Sequence, residues 1–360
     1  MIHCKGNNKF KRVICAVMAS LLLFAVMGCG PTDNVIKGSD TVFTFDGENV
    51  SLGEVYLYAN TVIEDYEALY GNDIWTTDIS ISDEDTANME DVTRRDIIED
   101  IIHVKMLVKK APEYKVALTE DEENQVVRDT DSFYSKLTDE QMEKMQLTYE
   151  TIQGVMRENL IANKVYEDII EDAHIEVSDE EARETTFYDL YFECYAVASS
   201  GDVTVFSEDE KAAQYDRALQ AYNTLINPIE TTVNDGTSAT NSNSTNIEGL
   251  AEYYGLKNSS YYTMTPSEIE GIYGQEIRDS LYSLEDGSYS LVTESEYGYH
   301  IFYMKALTDR EATDKHKQDI IKLKKNSFME ELYVDWLDEI DSGFTYEKSV
   351  DFNVYKQIDF

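Results

Sequence analysis

Two stretches of the chain alternate apolar and polar positions with the period of a strand. Residues 186–197, TFYDLYFECYAV, carry the strongest such pattern. The second begins at Gly298: His300, Phe302 and Met304 fall on one face, and Tyr299, Ile301 and Tyr303 on the other. Ahead of it, Asp286-Gly287 supplies turn chemistry behind the apolar helix face of Leu281 and Leu284. Gly298 offers the left-handed backbone of a tight turn. Residues 280–305 therefore read as a helix end, a turn, a short strand, a tight turn and a closing strand.

Most of the remaining chain has the helical period. Residues 41–50 predict a hairpin around Asp46-Gly47, and Ser51-Leu52-Gly53-Glu54 has capping-box spacing. The helix it opens has Val55, Val62, Ile63, Tyr66 and Tyr70 on its apolar face. Residues 78–91 are acidic and read as a solvated loop. Ile97, Ile98, Ile101, Ile102, Met106 and Val108 then form a helical stripe, and Pro112 stops it. Thr119 with Glu122 and Thr138 with Gln141 mark two more helix starts, and residues 148–170 carry another apolar stripe. Ser178 with Glu181 predicts a short linking helix. Ser207 with Glu210 opens a helix to about residue 226. Residues 227–246 are rich in Asn, Thr, Ser and Gly and read as a flexible insertion. Helices resume over 248–256 and at Thr265-Pro266-Ser267-Glu268. A long helix over 313–340 carries Ile320, Ile321, Leu323, Phe328, Leu332, Trp336 and Ile340, a stripe that needs a partner. The aromatic tail behind it is suited to pack along it.

Composition narrows the picture. The 360 residues suffice for two domains, and the formal charge is −41. Four of the 30 basic residues, and none of the 71 acidic ones, lie in residues 1–28. So acidic a surface repels phosphate backbones and excludes nucleic-acid binding; it serves solubility and attracts basic partners. The basic start followed by an apolar run to Met27 is a secretory signal, short for a membrane span. Its end, Val26-Met27-Gly28-Cys29, resembles the bacterial lipoprotein signal. That resemblance implies cleavage before Cys29 and a diacylglycerol on its sulfur. The other reading is an ordinary signal with an incidental cysteine. Cys194 then remains alone, so no intrachain disulfide is possible, and its apolar surroundings point to a buried, inert thiol. His103, His174 and His316 have no zinc spacing, the acidic runs lack calcium-loop alternation, and no phosphate loop occurs.

The ending of residues 280–305 resembles the close of the parvulin family of peptidyl-prolyl isomerases, where a T-x-x-G-x-H-I strand places a histidine beneath the active site. The order Phe45-Asp46-Gly47, Val50-Ser51, then Arg94, Ile98, Ile102, Leu107 and Ala111 resembles the chaperone region of exported foldases of the SurA and PrsA type. The resemblance implies an α+β fold. A helical chaperone domain (41–182) is completed by a C-terminal helix and tail (311–360) and carries an inserted parvulin-like domain (183–310). It implies a signal peptide over 1–28, a tether over 29–40, and a lipid-anchored protein of the outer membrane face, of the Gram-positive kind. Residue by residue, His300 matches the second histidine of the parvulin site and Ser295 its hydroxyl companion, both catalytic. Phe302 and Tyr191 match the substrate-binding cup. The first histidine falls by register on Leu190 or Tyr191, and the Cys/Asp position within 250–257 is unmatched. No cofactor or metal is implied. The implied partners are unfolded exported polypeptides and the membrane through Cys29, with a dimer allowed. A non-enzymatic holdase or surface scaffold on the same fold is the alternative, and a solute-binding lipoprotein a further one, against which the helical block 51–173 speaks.

Overall fold

The computed structural model describes residues 36–82, 85–227, 230–232, 238–240 and 246–360. The signal segment, Cys29 and most of the 227–246 insertion lie outside the described residues. The described chain falls into two compact units. One runs up to Ile175 and resumes at Lys325–Phe360; the other is Glu176–Lys324.

The first unit opens with the hairpin of β1 (Thr41–Phe45) and β2 (Glu48–Ser51). Asp46 and Gly47, with φ of 48° and 80°, supply the turn that joins right-twisted strands. Ser51 Oγ accepts from the Glu54 amide at 3.2 Å and caps α1 (Leu52–Tyr70). The Glu54 carboxylate does not close the box; it pairs with Lys105 at 2.7 Å. A small hairpin, β3 (Asp78–Ser80) against β4 (Thr86–Asn88), replaces the expected acidic loop, because Ile79 sits opposite Ala87 and the backbone ladder does not depend on the polar side chains. Asn88 caps α2 (Met89–Lys110). Thr119 and Thr138 form reciprocal capping boxes for α3 (Glu120–Tyr134) and α4 (Asp139–Met145), and α5 (Tyr149–Asp172) follows.

Residues 178–181 form one turn and no helix. Ser178 Oγ accepts from the Glu181 amide at 3.1 Å, but no apolar stripe stands behind the cap. The second unit then holds β5 (Thr185–Glu193), β6 (Tyr195–Val197), β7 (Val203–Val205), α6 (Glu208–Ile226), β8 (Glu230–Thr232), β9 (Ser238–Thr240), α7 (Ile247–Tyr254), β10 (Ser260–Met264), α8 (Pro266–Tyr273), α9 (Gln275–Tyr282), β11 (Thr293–Ser295) and β12 (Gly298–Ala306). The strand expected over 186–197 is divided at Cys194. Its N–H donates to Tyr297 O and its carbonyl accepts from the Phe206 amide, so pairing changes partner there. The thiol is buried, and burial pushes its pKa up, as an inert cysteine requires.

Helix α10 (Arg310–Asp341) starts in the second unit and ends in the first, followed by α11 (Tyr346–Ser349) and α12 (Phe352–Tyr355). In the first unit, Met329, Tyr333 and Trp336 of α10 and Tyr355 of α12 share one core with Val55, Ile98, Ile101 and Val165. Of the expected stripe, Trp336 is buried in this core and Phe328, Leu332 and Ile340 pack against it, whereas Leu323 is exposed and lies outside it. Arg94 fastens the tail from beneath. Its buried guanidinium donates to Tyr355 O at 3.3 Å and Ile358 O at 2.7 Å, and Phe360 lies over it at 4.1 Å. Tyr355 Oη returns a hydrogen bond to Arg94 O at 2.9 Å.

On α2 a half-buried carboxyl, Asp100, stands among Asp96, Glu99 and Glu330. Burial and these like charges push its pKa up from the ordinary 3.8 to about 7. The folded state therefore holds this proton where the unfolded chain has lost it, and its stabilising effect fades as pH rises from about 4 through 7. Asp100→Asn removes the dependence. The variant is expected to gain stability over the parent at pH 8 and to match it at pH 4, read as denaturant midpoints at both pH values. A variant weaker than the parent at pH 8 contradicts this account.

Candidate active site around His300

The central sheet of the second unit has the order β10-β5-β12-β11, every pair antiparallel. Its two middle strands are covered on both faces, which explains their nearly continuous apolar composition. On one face, Tyr188, Leu190, Phe192 and Ile301 pack with Leu225 of α6 and Leu250 of α7. On the other, Phe187, Phe302 and Met304 pack with Ile269 of α8 and with Ile277 and Leu281 of α9. The alternation expected after Gly298 is realised.

His300 lies on the second of these faces, 4% exposed. Register pairs it with Tyr191 and pairs Phe302 with Asp189. The diagonal neighbour Asp189 brings its carboxylate to 2.9 and 3.0 Å from His300 Nδ1. Ser295 Oγ lies 2.8 Å from Nε2. A carboxylate has only acceptors, so Nδ1–H donates to Asp189; the direction of the Nε2–Ser295 bond follows the protonation of the imidazole, and the same hydroxyl also lies 3.3 Å from Gly298 O. Tyr273 Oη adds a donor to Asp189 Oδ2 at 3.2 Å, and the adjoining carboxylate together with burial raises the Tyr273 pKa. Asp189 is thus buried with its oxygens engaged, the condition under which a carboxylate is tolerated inside a core.

Aromatic rings fix the imidazole plane. The Tyr191 and Phe302 rings lie parallel to it, with centroids at 4.4 and 5.4 Å, while Tyr273 meets the ring edge-on. The Tyr191 hydroxyl donates to Tyr297 O at 3.0 Å. Phe302 is buried against Phe187 and Tyr273.

His300 and Ser295, matched from the sequence, therefore meet. Of the two positions offered for the first histidine, Tyr191 is the register partner of His300 and stacks on its ring, while Leu190 points into the opposite core. The carboxylate at the imidazole comes from Asp189, which sequence reasoning did not single out, because alternation fixes the faces of a strand and leaves open which residue faces which partner. Tyr273 was missed altogether, since nothing local links the end of α8 to a strand 84 residues away. Residues 250–257 supply core contacts through Leu250 and Ala251, and no member of the network. Gly298 also differs from expectation. It has no left-handed backbone; it is a strand residue whose Cβ would stand 2.2 Å from Phe192 O and 2.8 Å from the Tyr191 ring.

The first unit has a cleft of about 140 Å³ lined by Phe45, Val50, Val108, Lys105, Lys109 and Glu158, among others. Of its lining residues, Lys105 pairs with Glu54 and Glu158, and Lys109 with Asp46. Among the described residues no cluster of side chains suits a metal ion, and no helix is long and apolar enough to cross a membrane.

The chain is thus an α+β protein whose second unit carries a histidine network on an antiparallel sheet and whose first unit is largely helical. It is PrsA-like over most of its length. It is 26% identical over 330 residues to the foldase protein PrsA of Clostridium perfringens (strain 13), with 88% of each chain covered. It is 23% identical over 316 residues to the foldase protein PrsA of Caldanaerobacter subterraneus subsp. tengcongensis, covering 86% of this chain and 88% of that one. No family model matches. A solved structure, the peptidylprolyl isomerase PrsA from Bacillus cereus, is 14% identical and covers 79% of this chain and 98% of its own, with a TM-score of 0.27.

Gly298→Ala tests the close approach of β12 to Phe192. Overpacking of this kind costs about 1–3 kcal/mol. The variant is expected to lower the denaturant midpoint of the second unit and to loosen the Tyr191–His300 stack, visible as a shifted His300 ring resonance. An unchanged midpoint and resonance refute the tight-fit explanation.

Proposed function

We propose that this chain is an extracytoplasmic foldase of the peptidyl-prolyl isomerase family that receives unfolded exported polypeptides. The observation that carries the reading is an imidazole whose two nitrogens are fixed by Asp189 and Ser295 on the closing strand. Similarity to proteins named foldases, over 88% of the chain, supports it. Rotation about a prolyl amide crosses a barrier of about 18–20 kcal/mol and breaks the amide resonance. A site accelerates it by binding the twisted amide better than the planar one. We assign His300 and Ser295 to the isomerase machinery and Asp189 to positioning: it selects the tautomer whose Nε2 faces the serine. Tyr191, with Phe302 behind the imidazole, is assigned to the surface that meets the proline ring. In the same reading residues 41–182 and 311–360 form the chaperone domain and 183–310 the isomerase domain. Cys29 carries the lipid that holds the protein at the outer face of the cell membrane, and a dimer fits this arrangement.

A non-enzymatic holdase is the second reading. It is favoured by the 4% exposure of His300, whose ring is packed against those of Tyr191 and Phe302. A proline-isomerisation assay on a tetrapeptide separates the two. The foldase is expected to accelerate the reaction. His300→Ala should lower the rate roughly tenfold, the equivalent of about 1.4 kcal/mol. Asp189→Asn should shift the pH profile as well as the rate. Parent rates no faster than the uncatalysed control remove the isomerase; if the protein then still suppresses aggregation of a denatured client, it is a holdase.

A further inference from the structure

The ribbon of β6 and β7 is an unpartnered apolar surface. Register places Tyr195 opposite Val205, Ala196 opposite Thr204 and Val197 opposite Val203. Opposed residues share a face and alternate residues do not. Tyr195, Val205, Val197 and Val203 therefore occupy one face, and the two small residues the other. Val197 and Val203 are 59% exposed and Val205 52%, although β-branched apolar residues are ordinarily among the most buried. The apolar face continues onto Tyr297, whose ring meets Tyr195 edge-on at 6.1 Å and which is itself exposed.

Charge says what fits there. From Glu184 to Glu210 the chain contains seven acidic residues and neither lysine nor arginine. From Asp279 to Met304 it again contains acids and no lysine or arginine. β6 and β7 carry no charge themselves; the segments that flank them are acidic, and Lys211, just past them, is paired with Glu208. A second copy of this chain, with its formal charge of −41, is repelled, and so is an anionic lipid surface. An extended segment with apolar residues at alternate positions and lysine or arginine at its flanks satisfies both the apolar centre and the acidic surroundings.

We propose that the β6–β7 ribbon is a docking surface for such segments of unfolded client chains, apolar in alternation and basic at their ends. This rests on the foldase reading and names the class of polypeptide it prefers. The ribbon shares an anchor with the histidine site. The Tyr297 carbonyl accepts both the Cys194 amide at 2.7 Å, at the root of the ribbon, and the Tyr191 hydroxyl, which belongs to the ring over His300.

The test uses the exported chain from residue 29 and fluorescent twelve-residue peptides alternating Val or Tyr with Ser, ending in Lys-Lys or in Glu-Glu. Lysine-ended peptides should bind at least about tenfold tighter than glutamate-ended ones, the equivalent of about 1.4 kcal/mol, and weaken as salt rises. The triple variant Val197→Thr, Val203→Thr and Val205→Thr keeps β-branched shape and strand propensity while losing the apolar face. It should bind the lysine-ended peptide about tenfold less tightly, with the thermal midpoint unchanged. Parent and triple variant binding alike, or the two peptide classes binding alike, overturns the proposal. So does conversion of a dimer to a monomer in the triple variant, which identifies a second copy as the occupant. Aggregation of a denatured client keeps the two readings apart. Equal protection by parent and variant overturns the ribbon and leaves the foldase; no protection by the parent overturns both.

Discussion

The antiparallel register of β5 against β12 is the constraint on which the candidate site depends. Pairing His300 with Tyr191 and Phe302 with Asp189 places the carboxylate and the imidazole on one face, diagonal to each other. A slip of one residue would send Asp189 into the apolar core of Leu190 and Phe192 and leave His300 without its Nδ1 partner. The register is held from both faces, because each core is filled by a helix pair. It is also held at its end, where Gly298 lets β12 approach Phe192 more closely than any side chain would permit. The buried aspartate reinforces the same choice. Only in this register do His300 and Tyr273 satisfy its oxygens, so alternatives carry an unpaired buried charge.

The first unit is closed by a different device. A sequence-distant tail supplies part of the core, and one buried arginine fixes it by donating to two carbonyls in the tail. Charge-assisted bonds to backbone oxygens satisfy groups that a chain end would otherwise leave bare. Arg94 is paired with Glu90 one turn earlier on α2, so the guanidinium is neutralised within its own helix before it reaches the tail.

What was legible in the sequence is what is local. Thr119, Thr138, Ser207 and Thr265 each bond the backbone three residues on, and each begins a helix in the structure. Asp46-Gly47 encodes its turn by the same local logic, and the α+β class follows from these elements in order. His300 and Ser295, five residues apart on a tight strand pair, could be matched for the same reason. Asp189 and Tyr273 could not. Asp189 reaches the imidazole through the sheet register, over 111 residues, and Tyr273 reaches Asp189 through the packing of α8, over 84 residues, and no local pattern records either separation. Two local signals also misled. The cap at Ser178 lacks an apolar stripe to sustain a helix, and the acidic residues 78–91 hide a hairpin whose pairing is made by backbone. Capping and polarity state what a segment tolerates; burial decides what it becomes.

Polar and apolar groups are placed in opposite ways within β5 and just past its end. Its middle carries a carboxylate sealed from water and committed to one imidazole. Beyond Cys194 the chain turns outward, and its apolar residues face solvent while its charges stay negative. The usual sorting of residues is inverted at both places, and each inversion raises the free energy of the folded chain. The first is compensated within the fold by His300 and Tyr273. The second has no compensation among the described residues, and the Tyr297 carbonyl joins it to the ring that covers the first. On the docking proposal made above, a client segment supplies that compensation, and the shared Tyr297 carbonyl links the segment's surface to the rigid site.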